Sequence, residues 1–266
     1  MKYQRRQALK AGAGLAAHAL LATVGMIRPV SALAAQGRAA FEARSVDAAL
    51  AALGAAKPPF STDIELNVPE LNENGAVVRL GIVSRLAKTD QIIVMIDKNP
   101  NPLAAQFMIP DGTFADLQTE VKISESSDVH VLAKAEGRFL ATRKNVKVTI
   151  GGCAADDGSA QAAKTGASRI RATVKEGIAD VRVRMLHPME TGQRKTASGT
   201  LIPAHYITEF TATQNGRVVL SAQFGPSISA NPYLAFKFRG GAKGDRLRVS
   251  WTDTKGETRT DEAEIA

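Results

Sequence analysis

The sequence predicts an all-β protein built as two antiparallel β-sandwiches joined by a flexible linker that carries the only cysteine. Three observations predict this. Short segments with period-2 alternation, bounded by Pro, Asn and Gly, recur on both sides of the middle of the chain. Between them, Ala154 to Ser168 is a stretch of Ala, Gly, Ser, Asp and Lys with no apolar period, the composition of a solvated linker. Nowhere does a strand run into a glycine-rich turn and a helix, so a dinucleotide or P-loop fold is excluded.

The first 34 residues read as an export leader. Paired arginines, Arg5 and Arg6, stand before an uncharged run from Ala11 to Ile27, and Ala32-Leu33-Ala34 offers small residues for cleavage. Twin arginines point to the Tat route, which places the mature chain in the periplasm with no membrane span. The formal charge of +8 is then mostly a property of the leader, whose five basic residues (Lys2, Arg5, Arg6, Lys10 and Arg28) face no acid. The mature chain carries +3, too little to mark a nucleic-acid partner.

Residues 35–44 are expected to be disordered. A short helix follows from Ser45 to Leu53, with Ser45 as its cap and Gly54 just past its end. Strands are then expected at Ile64/Leu66/Val68, Val77 to Val83, Gln91 to Ile96, Val121/Ile123, Val129 to Ala133 and Val146/Val148/Ile150. The loop from Asp97 to Pro102 contains two prolines, which lack the donor of an interior ladder.

Beyond the linker, Arg169 to Val174 and Val181 to Met185 alternate charged and apolar residues, the mark of one wet and one buried face. Gln214-Asn215-Gly216 between Tyr206–Thr213 and Arg217–Gln223 is a hairpin signal, because Asn-Gly accepts the positive φ of a tight turn. Gly240 to Asp245 is read as another hairpin turn, between Leu234–Phe238 and Leu247–Trp251, rather than a phosphate cradle, since a strand and not a helix follows. Asp253 to Gly256 makes a last turn before Thr258 to Ile265, and Trp251 is expected in the core, with an interface anchor as the alternative.

Chemistry-bearing residues are few. His130, His187 and His205 remain after the leader, and none is spaced from another His, Cys or acid as a transition-metal site requires, so no metal and no cofactor are expected. His187 opens a Pro- and Gly-bearing loop, and His205 begins a strand, where a structural role is expected. Cys153 follows Gly151 and Gly152 where a strand stops. The two glycines are read as a loose arm, lacking the Cβ that would hold one conformation. A single thiol in an oxidising compartment has no internal disulfide partner, which leaves an intermolecular bond, a covalent adduct or an inert side chain. With no histidine within twenty residues to activate it, the thiol is not read as a self-sufficient nucleophile, so the protein is expected not to be an enzyme.

Several strings, in order, carry a resemblance. Pro69-Glu70, Glu73-Asn74-Gly75, Asn99-Pro100-Asn101-Pro102 and Val146 to Cys153 resemble SoxY. His187 to Gly192, Ile202 to His205, Asn231 to Leu234, Phe236 to Phe238, Val249 to Trp251 and Arg259 to Glu262 resemble SoxZ. The chain is thus similar to a SoxY–SoxZ fusion, in which 35–153 is the SoxY-like domain, 154–168 the linker and 169–266 the SoxZ-like domain.

The resemblance implies two immunoglobulin-like sandwiches and a non-enzymatic sulfur-oxidation carrier. Its arm cysteine, Cys153, would hold thiosulfate-derived species, with Gly151, Gly152, Ala154 and Ala155 as the carrier arm. Implied partners are a c-type cytochrome, a sulfate thiohydrolase and a sulfur dehydrogenase. The family arm is a free tail ending Gly-Gly-Cys-Gly-Gly; here Ala154 and Ala155 replace the last glycines and the chain runs on. A flexible Gly151–Ser168 segment spans roughly 20–25 Å. Two other readings stand beside this one: a SoxYZ-like carrier serving a quinoprotein dehydrogenase with an unknown cargo, and an interaction module forming a disulfide homodimer through Cys153.

Overall fold

The computed structural model describes residues 38–152, 165–196 and 198–266. They include a helical turn over residues 38–41, a short helix, α1 (Val46–Ala52), and fifteen strands. The first half of the chain holds β1 (Ile64–Asn67), β2 (Leu71–Asn74), β3 (Val78–Ser84), β4 (Thr89–Ile96), β5 (Leu103–Met108), β6 (Thr113–Val121), β7 (Ser127–Ala135) and β8 (Arg138–Ile150). The second holds β9 (Gly166–Lys175), β10 (Ile178–Leu186), β11 (Ile207–Gln214), β12 (Arg217–Phe224), β13 (Tyr233–Arg239), β14 (Arg246–Asp253) and β15 (Thr258–Glu264). No described helix is long and apolar enough to cross a membrane.

Both halves are immunoglobulin-like sandwiches, and their sheets are continuous with one another. One sheet has the order β1-β3-β6-β13-β10-β9 and the other β15-β14-β11-β12-β5-β4-β7-β8-β2. Among the named strands the halves pair as β6 with β13 and β5 with β12, both antiparallel. An edge that a lone sandwich would leave open is thereby covered in each half. The exception to antiparallel pairing among the named strands is β2, which lies parallel to β8 with Leu71 opposite Lys147 and Asn74 opposite Ile150.

Alternation decides which face is buried. In β10, Ala179, Val181, Val183 and Met185 are fully buried while Asp180, Arg182 and Arg184 point outward, and β13 repeats the pattern with Leu234, Phe236 and Phe238. These residues join Ile92, Val94, Phe107, Phe210, Phe224 and Trp251 in one core that runs through both halves. Trp251 therefore packs as a core residue, 2 % exposed. The outward Arg184 reaches the buried Glu120 carboxylate of the other half at 3.2 Å, and Arg79 reaches it at 2.9 Å.

The helix forms as its caps dictate. Ser45 Oγ accepts from the Ala48 amide at 3.2 Å, and Gly54 takes a positive φ of 67° just past the end. The Asn215-Gly216 hairpin is also as expected, with φ of 48° and 86°, the two left-handed residues of a type I′ turn.

Four expectations are corrected. Of the segment expected to be disordered, residues 38–44 are ordered: Phe41 is buried in a second cluster with Ala40, Val46, Ala49 and Leu103, and its carbonyl accepts from Asn101. A single aromatic in so short a segment has no period to reveal it. Gly240 to Asp245 is a crossover and not a hairpin, because β13 and β14 lie in different sheets. Gly240 and Gly244 have the positive φ of turn residues, but that chemistry does not choose a partner strand. The linker is shorter than expected, since β9 begins at Gly166 and the Ser168 amide donates to Asp261. Finally, Leu103–Met108 and most of Thr113–Val121 form strands not foreseen, the first buried without alternation and the second partly polar.

Candidate functional site

The end of β8 precedes the chain's one cysteine, and the residues from Ile150 to Gly152 are joined to their neighbours by main-chain hydrogen bonds. The Gly152 amide donates to the Ile123 carbonyl at 2.8 Å, the Ile123 amide to the Gly75 carbonyl at 2.7 Å, and the Gly75 amide to the Ile150 carbonyl at 2.7 Å. Three segments close on one another here. A Cβ on Gly151 would overlap the Ser124 carbonyl oxygen, one on Gly152 the Gly75 carbonyl, and one on Gly75 the Ile123 carbonyl. The three glycines are required for close approach.

This corrects the reading of Gly151 and Gly152 as a loose arm. Their missing side chains let main chain pack on main chain, and Gly152 is buried. Cys153, Ala154 and Ala155 lie outside the described residues, as do Arg5 and Arg6. The sequence strings Glu73-Asn74-Gly75 and Gly151-Gly152, far apart in the chain, meet in this clasp. Ser124, which no sequence signal marked, supplies the carbonyl over Gly151.

The second half braces the clasp. Ser229 Oγ donates to the Ala76 carbonyl at 2.9 Å, the Lys122 amide donates to Ser227 O at 2.7 Å, and Asn99 Nδ2 donates to both Ser227 Oγ and Lys122 O. Asn99 Oδ1 in turn accepts from the Ser124 amide at 2.9 Å. The buried Lys122 ammonium donates to the carbonyls of Met189, Pro226 and Ile228.

Met189 leads to the histidines. His187 Nδ1 accepts from the Met189 amide at 3.1 Å, so its proton sits on Nε2, which donates to Asp253 Oδ2 at 3.3 Å. His205 Nε2 donates to the same oxygen at 2.6 Å, and Asp253 Oδ1 accepts from the Lys255 and Glu257 amides. Burial pushes the His187 imidazole down to about 4, against the raising effect of the Asp253 hydrogen bond. Burial alone would raise the Asp253 carboxyl, but the donors from His205, His187 and the two amides outweigh it and hold it below the usual range.

No spacing of these residues along the chain hints at this convergence; β11 pairing with β14, which sets Ile207 opposite Asp253, creates it. The donor atoms lie within 4.8 Å of one another, close enough to raise the question of a metal. The hydrogen bonding answers it. A histidine that binds a metal through Nε2 keeps its proton on Nδ1 and donates it outward. Here Nδ1 faces an amide N–H, so the proton has no place to go. The cluster suits a shared carboxylate stapling a loop. His130 stands apart from it on β7, its Nε2 buried without a hydrogen-bond partner among the described residues, and burial lowers its pKa.

Two immunoglobulin-like sandwiches joined through both sheets, the first ending in a strand whose last residues are clasped by glycines, define the class of scaffold. Residues 49–153 match the model of the sulfur oxidation protein SoxY, and residues 169–264 that of the sulphur oxidation protein SoxZ. The chain belongs to both families, as a SoxY–SoxZ fusion. SoxY and SoxZ are carrier and interaction proteins, and the fusion takes part in sulfur oxidation as a carrier.

Among solved structures, the sulfur carrier protein SoxY from Chlorobium limicola f thiosulfatophilum is similar at 25% identity, covering 41% of this chain and 96% of that one, with a TM-score of 0.36. A marsupial T cell receptor aligns at 13% identity over 76% of this chain and 96% of its own, with a TM-score of 0.24. Parabacteroides merdae beta-glucuronidase aligns at 10% identity over 77% of this chain, which spans 24% of the enzyme, with a TM-score of 0.25. No curated protein matches.

Proposed function

We propose that this fusion is a periplasmic covalent sulfur carrier, exported by its Arg5-Arg6 leader, which holds thiosulfate-derived intermediates on Cys153. The observation that carries this reading is where the SoxY match stops: at Cys153, the one cysteine of the chain, directly after the clasped Gly152. The remaining segment to Gly166 then tethers the thiol to both halves.

Loading joins the Cys153 thiolate to thiosulfate, forming Cys–S–S–SO3− and releasing two electrons to a c-type cytochrome partner. Water then attacks the terminal sulfonate sulfur on a thiohydrolase partner, giving Cys–S–S−, sulfate and two protons. A sulfur dehydrogenase partner would oxidise the persulfide that remains. The chain supplies no catalytic group to these steps; it presents the sulfur atom. A second reading rests on Ala154 and Ala155, which stand where the family tail has glycines, and on continuation of the chain into the second half. In it the same thiol serves a quinoprotein dehydrogenase system with a different cargo.

Intact-mass analysis of protein recovered from the periplasm of cells grown on thiosulfate tests the proposal. A reductant-removable sulfur adduct, absent from Cys153→Ser, is expected. Unmodified thiol under every sulfur regime would overturn it. A mass of twice the chain, lost on reduction, would favour the disulfide homodimer instead.

A further inference from the structure

Carrier function asks more of the second half than a covering sheet, and the contacts around the clasp indicate what. Gly75, Ile123 and Gly152 form a closed set of three backbone segments, and the residues flanking them in sequence are bound from the second half. Ala76 is held by Ser229 Oγ, Glu120 by the Ser229 amide at 3.1 Å, Lys122 by Ser227 O, and Val121 bridges Ile228. The same 226–229 segment receives the Lys122 ammonium at Pro226 and Ile228. Met189, which receives it too, is tied by its amide to His187 and so to Asp253.

We propose that Pro226 to Ser229 of the second half is a positioning element: by bracing the three-glycine clasp it fixes the place of Gly152, the residue to which Cys153 is bonded. The chain is clamped up to Gly152 and β9 begins at Gly166, so the residues on either side of the Cys153 segment are both held, the first through the brace and the second in the sheet of the second half. The consequence for cargo delivery rests on the carrier reading of Cys153. The physical logic is that a residue bonded to an anchored neighbour starts from where that neighbour is held. Loosening the clasp frees Gly151 and Gly152 and so moves the starting point of Cys153. In this arrangement Gly75, Gly151, Gly152, Ser124 and Ser229 are positioning residues, not catalytic ones.

Two measurements on the full chain test this, using Ser229→Ala, which removes one brace, and Gly152→Ala, which forces the clasp open. Amide exchange at Gly75, Ile123 and Gly152 reports the clasp; about a tenfold acceleration is expected in Ser229→Ala, the equivalent of one lost hydrogen bond. A nitroxide attached to Cys153 and a second at the exposed Lys243→Cys report where the segment starts. Their distance distribution is expected to shift and broaden in both variants. Unchanged exchange in Ser229→Ala would show that the second half does not hold the clasp. Faster exchange with an unchanged distance distribution would show that the clasp does not position the segment. Either result overturns the proposal.

The carrier reading is tested separately with tetrathionate. The Cys153 thiolate attacks a central sulfur, forming Cys–S–S–SO3− and expelling thiosulfate, with no other oxidant. A full nitroxide response with no tetrathionate adduct would leave the clasp standing and count against the carrier. Where Gly152→Ala fails to fold, Ser229→Ala carries both measurements alone.

Discussion

The Gly152 amide donates to the Ile123 carbonyl at 2.8 Å, and through it the last described residue before the cysteine is tied to the segment just after β6, which the second half of the chain holds in place. The bond forms because neither Gly151 nor Gly152 has a side chain to keep the neighbouring carbonyls away.

Gly151→Ala is accordingly expected to destabilise the fold by about 1–3 kcal/mol, the range for forcing an extra carbon into packed surroundings. The Cβ would meet the Ser124 carbonyl, a main-chain atom that cannot rotate aside. Urea denaturation with an unchanged slope checks this. If Gly151→Ala is neutral, the close approach at this position is not a feature of the native state.

Lys122 is the next point of leverage. Its buried ammonium donates to three carbonyls, two of them in the 226–229 segment. Lys122→Met keeps the aliphatic stem and strands those acceptors, each at a cost of about 1–3 kcal/mol. A loss of at least about 3 kcal/mol is expected by calorimetry or urea denaturation. The loss should exceed that for substituting Lys88, whose ammonium is exposed on the surface.

Much of the scaffold was legible in the sequence, because alternation and turn chemistry are local. Val181, Val183 and Met185 announced a half-buried strand, and Asn215-Gly216 the hairpin that joins β11 to β12. What could not be read was which strands become neighbours. The glycines at 240 and 244 look the same in a hairpin and in a crossover between sheets, and only the packing of β14 against β11 decides. The site was legible by half. The thiol stood out, but Gly151 and Gly152 without their neighbours imply freedom, whereas beside Ser124 and Gly75 they imply contact. Asp253 was visible as the start of a turn, with nothing to show that two histidines converge on it.

The Asn215-Gly216 turn offers a control remote from the site. Gly216 holds a φ of 86°, so Gly216→Ala is expected to cost about 1–2 kcal/mol through a left-handed backbone alone. Amide exchange at Gly75, Ile123 and Gly152 should not respond beyond that global loss. A response beyond that global loss would show that the clasp answers to a remote turn as well, and that the brace alone does not govern it.

Acid should loosen the loop that supports Lys122, and the sign follows from His187. Its imidazole sits at about 4 in the folded chain and near 6.5 when unfolded, so between those values the unfolded chain binds the proton more readily. Stability from this group is complete above about pH 6.5 and is lost as pH falls toward 4, by about 3 kcal/mol. Asp253 adds to the loss at lower pH, because its folded value lies below the unfolded 3.8, and protonation forfeits the acceptor that both histidines share. Urea midpoints measured from pH 7.5 to 4 are expected to fall steadily for the unaltered chain. His187→Gln, which keeps a neutral donor and cannot titrate, should flatten that fall while lowering stability at pH 7. An equally steep fall in His187→Gln would mean that the acid sensitivity arises from some other group.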